Sequence, residues 1–95
     1  MRYLAETDLP YAEAKSELES AEILRKRVRA RVFLTEDGTV AERNAEAEVS
    51  HDTEAADDRY VGAIKAFEEL KARRQRAELL IDVWRSLEAT RRRSA

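Results

Sequence analysis

The sequence predicts an all-α protein: a helical hairpin of two long helices joined by a turn and a short helix, coiled-coil-like and oligomeric. Three observations lead there. Only two Gly and one Pro occur among 95 residues, while Ala, Leu, Glu, Arg and Lys dominate, which is the composition of long helices rather than of sheets. Two stretches place apolar residues at alternating steps of three and four, a spacing that keeps them on one helical face. Between those stretches, residues that end and start helices gather around Gly38 and Ser50. Hydrophobic residues make up 43% of the chain and charged residues 40%, so there is enough apolar material to fold. A chain of this length forms one domain, 1–95, and buries about 60 to 65% of the surface its unfolded form exposes, so its core is thin.

Thr7 or Asp8 can cap the first helix, with Pro10 in the first turn, where a missing N–H costs nothing. That places the helix at about 9–35. Its seam is Tyr11, Ala14, Leu18, Ala21, Arg25, Val28 and Val32, widened by Leu24, Phe33 and Leu34. Glu36-Asp37-Gly38 stops it, because glycine takes the left-handed conformation that closes a helix end. Thr39 with Glu42 then forms a capping box that opens a short helix at about 40–49. Ser50-His51-Asp52-Thr53 offers several new cap acceptors and predicts a break or kink.

The third helix is expected at about 53–90, with a frayed tail at 91–95. Tyr60, Ala63, Phe67, Leu70, Arg74, Ala77, Ile81 and Trp84 hold its three-four spacing. Such a helix is about 57 Å long. If its first part packs antiparallel on the first helix, its end overhangs, and Leu80, Ile81, Trp84 and Leu87 predict self-association to a homo-oligomer. No internal repeat or low-complexity linker is evident in the sequence.

Several function classes are disfavoured by what the chain lacks. There is no Cys, and His51 is the only histidine, so thiolate sites, histidine-rich metal sites and a serine triad have no residues to build from. His51 reads as a cap or hinge residue. No glycine-rich phosphate loop or nucleophile elbow is present. The expectation is therefore a protein that is not an enzyme, with no catalytic residues, no cofactor and no metal. No apolar run approaches the roughly 18 residues of a membrane span, which gives the expectation of a cytoplasmic protein with no membrane partner.

Charge is segregated along the chain. Residues 1–34 sum to +1, residues 35–58 to -8 and residues 59–95 to +5. Arg25, Lys26, Arg27, Arg29 and Arg31 form the densest cationic cluster, and Lys71, Arg73 and Arg76 lie in a second one. Such clusters suit contact with a phosphate backbone, because arginine and lysine neutralise charge and release counterions without reading sequence. These eight residues are the candidate nucleic-acid-binding set. Arg25 and Arg74 differ from the others because each falls in a seam, where a guanidinium needs a partner; they are expected to set register by pairing with carboxylates, the alternative being that they mark where the seam opens onto a charged channel. The acidic stretch from Glu42 to Asp58 is solvated helix surface, a mimic of nucleic acid, or a binding face for a basic partner such as a neighbouring subunit's basic helix.

The order of features resembles a group of small phage proteins that includes the UvsY-like recombination mediators. The residues that carry the resemblance are Tyr11-Ala12-Glu13-Ala14-Lys15, the basic first helix, Thr39-Val40-Ala41-Glu42-Arg43, the Ser50-His51 break, and Ile81-Asp82-Val83-Trp84-Arg85-Ser86-Leu87-Glu88. The resemblance implies a helical oligomer in the cytoplasm of a bacterial host. It would bind single-stranded DNA, loosen a single-strand-binding protein and help a recombinase or annealing protein to load. This chain is shorter than the mediators and has an acidic middle. The alternatives are a phage-encoded inhibitor of a host nuclease, acting through that acidic middle, and a structural helical assembly module.

Overall fold

The computed structural model describes residues 2–94 and consists of three helices: α1 (Arg2–Thr35), α2 (Val40–Val49) and α3 (His51–Ser94). There is no strand among the described residues. The molecule measures 80 × 21 × 14 Å, with a radius of gyration of 22.1 Å. A globular domain of this length would have about 13 Å. The shape is a rod, as the predicted helical hairpin requires.

Why α1 and α3 lie side by side follows from their seams. Tyr11, Ala14, Leu18, Ala21, Val28 and Val32 of α1 are buried or half-buried, and so are Ala56, Tyr60, Ala63, Phe67, Leu70 and Ala77 of α3. Most of the fully buried positions are small: Ala21, Ala47 and Ala56, together with Phe67 and Thr53. Alanine at the contact lets two helices approach closely, so a narrow stripe suffices to hold them. Near the middle the rings of Tyr11 and Phe67 meet with centroids 5.3 Å apart, close enough for a favourable aromatic pair.

The two connections behave as their residues dictate. Gly38 has φ 112, a left-handed conformation that would strain a side chain, and a Cβ there would run into the Glu42 carboxylate. The Glu42 backbone N–H donates to Thr39 Oγ1 at 3.2 Å, which caps α2. Between α2 and α3 a single non-helical residue, Ser50, has φ -59 and ψ 139. Its carbonyl accepts from the Glu54 N–H at 2.9 Å, so α3 starts at once.

Two boundaries differ from the sequence reading. α1 begins at Arg2, not near residue 9, and runs through Pro10. Neither Thr7 nor Asp8 is a cap: the Thr7 hydroxyl donates back to the Tyr3 carbonyl at 2.8 Å, and both residues are held from α3 by Arg74. Proline in a helix interior is costly, and these tertiary bonds oppose that cost. At the other end α3 continues to Ser94, so the expected fraying of 91–95 is not seen for Arg91–Ser94, and Ala95 lies outside the described residues. Arg91, Arg92 and Arg93 suit a helix C-terminus, where positive charge meets the negative end of the dipole.

Candidate functional site

The polar residues of the seam form two matching clasps. Arg74 of α3 donates from Nη1 to the Leu4 carbonyl at 3.0 Å and to Thr7 Oγ1 at 2.6 Å, and from Nη2 to Asp8 Oδ1 at 2.8 Å. Its guanidinium lies 5.0 Å from the Tyr11 ring centroid. Arg25 of α1 reaches the other way. Its Nε is 3.2 Å from Asp57 Oδ1, and its guanidinium is 4.8 Å from the Tyr60 ring centroid. Each arginine thus pairs with an aspartate on the opposite helix and covers the tyrosine three residues after that aspartate. The expected register role of Arg25 and Arg74 matches this geometry.

The clasps expose an internal correspondence that the sequence reading missed. Asp8, Tyr11, Ala14, Arg25 and Arg27 recur seven heptads later as Asp57, Tyr60, Ala63, Arg74 and Arg76. Because that interval is a whole number of heptads, each pair has the same place on its own seam. Two antiparallel helices with equivalent residues are related by an approximate twofold axis through the middle of the hairpin. Identical residues are sparse in the repeat, so only the paired contacts make it visible.

The cationic cluster of α1 is divided by the fold. Arg29 Nη1 is 3.1 Å from Glu48 Oε1 on α2 and Nη2 is 3.5 Å from Asp57 Oδ2 on α3, so Arg29 joins all three helices. Lys26 Nζ is 3.5 Å from Glu22 Oε1 on its own helix. Arg25 and Arg29 therefore face the acidic middle of the chain, and part of the acidic stretch is neutralised by the basic stretch. Arg27 and Arg31 are exposed. On α3, Lys71 sits 6.0 Å from the Phe67 ring centroid, Arg73 Nε donates to the Glu69 carbonyl at 3.4 Å, and Arg76 is exposed.

With Arg25 opposite Asp57 and Arg74 opposite Asp8, the two cationic groups fall at different ends of the paired region. Asp57 and Arg74 are 17 residues apart on α3, as Asp8 and Arg25 are on α1, so the two levels lie about 26 Å apart. One chain does not bring the eight predicted residues into one patch. A residue that sequence reasoning passed over is Arg43, the one base of the acidic segment: its guanidinium lies 5.8 Å from the Phe33 ring centroid and helps seat α2 on α1.

Among the described residues α1 begins at Arg2, whereas α3 runs on to Ser94. Leu79, Leu80, Val83, Trp84 and Leu87 are exposed, Trp84 at 62%, while Ile81 is half-buried. All four residues expected to mediate oligomerisation therefore lie on or beside one apolar stripe of α3, and Leu80, Ile81 and Trp84 line one shallow cavity with Arg85.

Among the described residues no three His, Asp or Glu side chains converge as a metal site, and no helix is long and apolar enough to cross a membrane. His51 is exposed and opens α3. The fold and its seam define an antiparallel helical hairpin with a coiled-coil-like interface. The chain matches no family model, curated protein or solved structure in comparisons with known proteins.

Proposed function

We propose that this protein acts by assembly rather than by catalysis: copies join through the overhanging end of α3. The observation that supports this reading is the exposure of Leu79, Leu80, Val83, Trp84 and Leu87 along one stretch of α3. Burying a large apolar side chain contributes about 1.5 to 3 kcal/mol. Leaving five exposed on a helix that continues for several turns makes a second chain the natural cover. Sedimentation equilibrium at tens of micromolar tests it. A mass above the 10.9 kDa of one chain is expected, and a monomer throughout that range refutes it.

A second reading is that the assembly binds single-stranded nucleic acid and serves as an accessory to a recombinase, annealing protein or single-strand-binding protein, as the resemblance to phage recombination mediators implies. What favours it is that Arg27, Arg31 and Arg76 are exposed and engaged in no ion pair among the described residues. Arg25 and Arg29 are already committed to Asp57 and Glu48, so the binding set narrows to Lys26, Arg27 and Arg31 with Lys71, Arg73 and Arg76. Each chain would contribute few contacts, and repetition in an oligomer would raise the affinity. Fluorescence anisotropy of a labelled oligonucleotide at 50 mM salt is the test, and absence of binding there excludes this reading.

A further inference from the structure

The exposed apolar residues near the end of α3 do not continue the seam with α1. At about 100° per residue, Leu79, Leu80, Val83, Trp84 and Leu87 fall within an arc of about 140°, and Phe67, Leu70 and Arg74, which meet α1, fall outside it. The charge of this face is positive. Arg73 and Arg76 lie in the same arc just before Leu79, and Arg91 lies in it just after Leu87, with Glu88 at the edge and paired with Arg91 at 3.7 Å. Glu78, Asp82 and Arg85 fall on the other side of the helix. Counted all round, residues 73–94 carry seven basic side chains against three acidic ones, so the sign does not depend on how the arc is drawn. Two copies of this face laid together would therefore oppose arginine to arginine, Arg73 and Arg76 to Arg91 in antiparallel order and each to itself in parallel order, which is unfavourable.

The outer face of α2 has the opposite character. Arg43 and Ala47 turn inward, whereas Ala41, Ala45 and Val49 are exposed and recur every four residues as a shallow apolar stripe. Glu42 and Glu46 run beside it, exposed and in no ion pair among the described residues. The bases of α1 do not offset them. Arg25 is committed to Asp57, Arg29 to Glu48 and Lys26 to Glu22. Arg27 and Arg31 fall on the side of α1 away from Arg29 and Phe33, the residues that meet α2.

We propose that the Leu79–Leu87 face of α3 packs on the outer face of α2 in a second copy of the chain. The proposal rests on the assembly reading and specifies the surface that the end of α3 meets. Size and charge both select it. Small Ala41 and Ala45 leave room for Leu80, Trp84 and Leu87, as alanines do in the seam between α1 and α3, and Arg76 and Arg91 come beside Glu42 and Glu46. Lengths agree: Val40 to Val49 spans about 13.5 Å of helix, and Leu79 to Leu87 spans about 12 Å. A chain cannot make this contact with itself. Thr53, just after α2, and Leu79 lie on one continuous helix, about 39 Å apart along its axis. The contact is therefore between unlike surfaces of different copies, which is the heterologous kind of interface.

Complementation between two defective variants tests this. One variant, Ala45→Arg with Glu46→Arg, blocks the α2 face at two exposed positions and leaves the end of α3 intact. The other, Leu80→Glu with Leu87→Glu, spoils the α3 face at two exposed positions and leaves α2 intact. Both keep Trp84, the one tryptophan of the chain. Circular dichroism should show parental helicity in each, and Val49→Arg, on the same stripe, takes the place of the first variant if that one unfolds. The expected result is that the parent sediments above 10.9 kDa and each variant alone sediments as one chain. Mixed, the variants should form a 1:1 complex of twice the chain mass, with Trp84 emission shifted to the blue. An α2 variant that still self-associates would mean that the α3 face meets another surface: assembly would stand and the α2 assignment would fall. Two monomeric variants that do not complement also overturn the α2 assignment. A parent protein that is itself monomeric removes both readings.

Discussion

Arg25 and Arg74 occupy equivalent places in the two arms of one hairpin, each crossing to an aspartate and lying over the tyrosine three residues beyond it. They are not equally buried. The Arg74 side chain is 16% exposed and the Arg25 side chain 34%, and Arg74 makes three hydrogen bonds across the interface.

That difference sets the size of two mutational effects. Arg74→Ala should lower the unfolding free energy by about 2 kcal/mol, since it removes charge-assisted hydrogen bonds from a mostly buried site. Arg25→Ala should cost about 1 kcal/mol or less, as expected for a more exposed pair. Arg74→Lys should recover little of the loss, because an ammonium cannot span Leu4, Thr7 and Asp8 as the planar fork does. Urea denaturation followed by circular dichroism measures all three, and equal effects for Arg25 and Arg74 would contradict the structure.

The two glycines should respond in opposite directions to alanine. Gly38 needs its positive φ and has Glu42 beside it, so Gly38→Ala should destabilise by about 1 to 2 kcal/mol. Gly62 lies within α3, with open space where a Cβ would go, and Gly62→Ala should stabilise by about 0.5 to 1 kcal/mol. Thermal melts of the two variants read the sign directly.

Thr53 is fully buried, and its hydroxyl has no hydrogen-bond partner. Valine has nearly the same shape without the polar atom. Thr53→Val should therefore raise stability by about 1 kcal/mol, by removing an unsatisfied hydroxyl from the junction of the helices. A loss of that size would show that the hydroxyl is satisfied in solution.

For the nucleic-acid reading, the division of the cationic cluster predicts a contrast between variants. Arg27→Glu with Arg31→Glu should abolish oligonucleotide binding and leave helicity unchanged. Arg29→Glu should instead loosen α2, because it opposes Glu48 and Asp57 with a like charge. In the parent, log affinity should fall by about 0.7 per phosphate contact for each tenfold rise in salt. Anisotropy titrations at several salt concentrations give that slope, and binding unaffected by Arg27→Glu with Arg31→Glu would place the contact elsewhere.

The helical class, the turn at Gly38, the capped start of α2 and the interruption at Ser50 were legible in the sequence, because each depends on local chemistry: backbone freedom, a hydroxyl acceptor, and apolar residues returning every three or four positions. The apolar stripe of Leu80, Ile81, Trp84 and Leu87 was legible for the same reason. By itself the sequence could not say where α1 begins. Local rules made Pro10 a first-turn residue, and bonds from Arg74, which is distant in sequence, help to hold the turn before it as helix. Nor could it say which arginines are available to a partner. Arg25, Lys26, Arg27, Arg29 and Arg31 look alike in a list of charges, and the antiparallel register brings Asp57 and Glu48 to two of them while leaving Arg27 and Arg31 exposed. That register follows from packing two whole helices against each other, and a spacing rule within one helix carries no information about it.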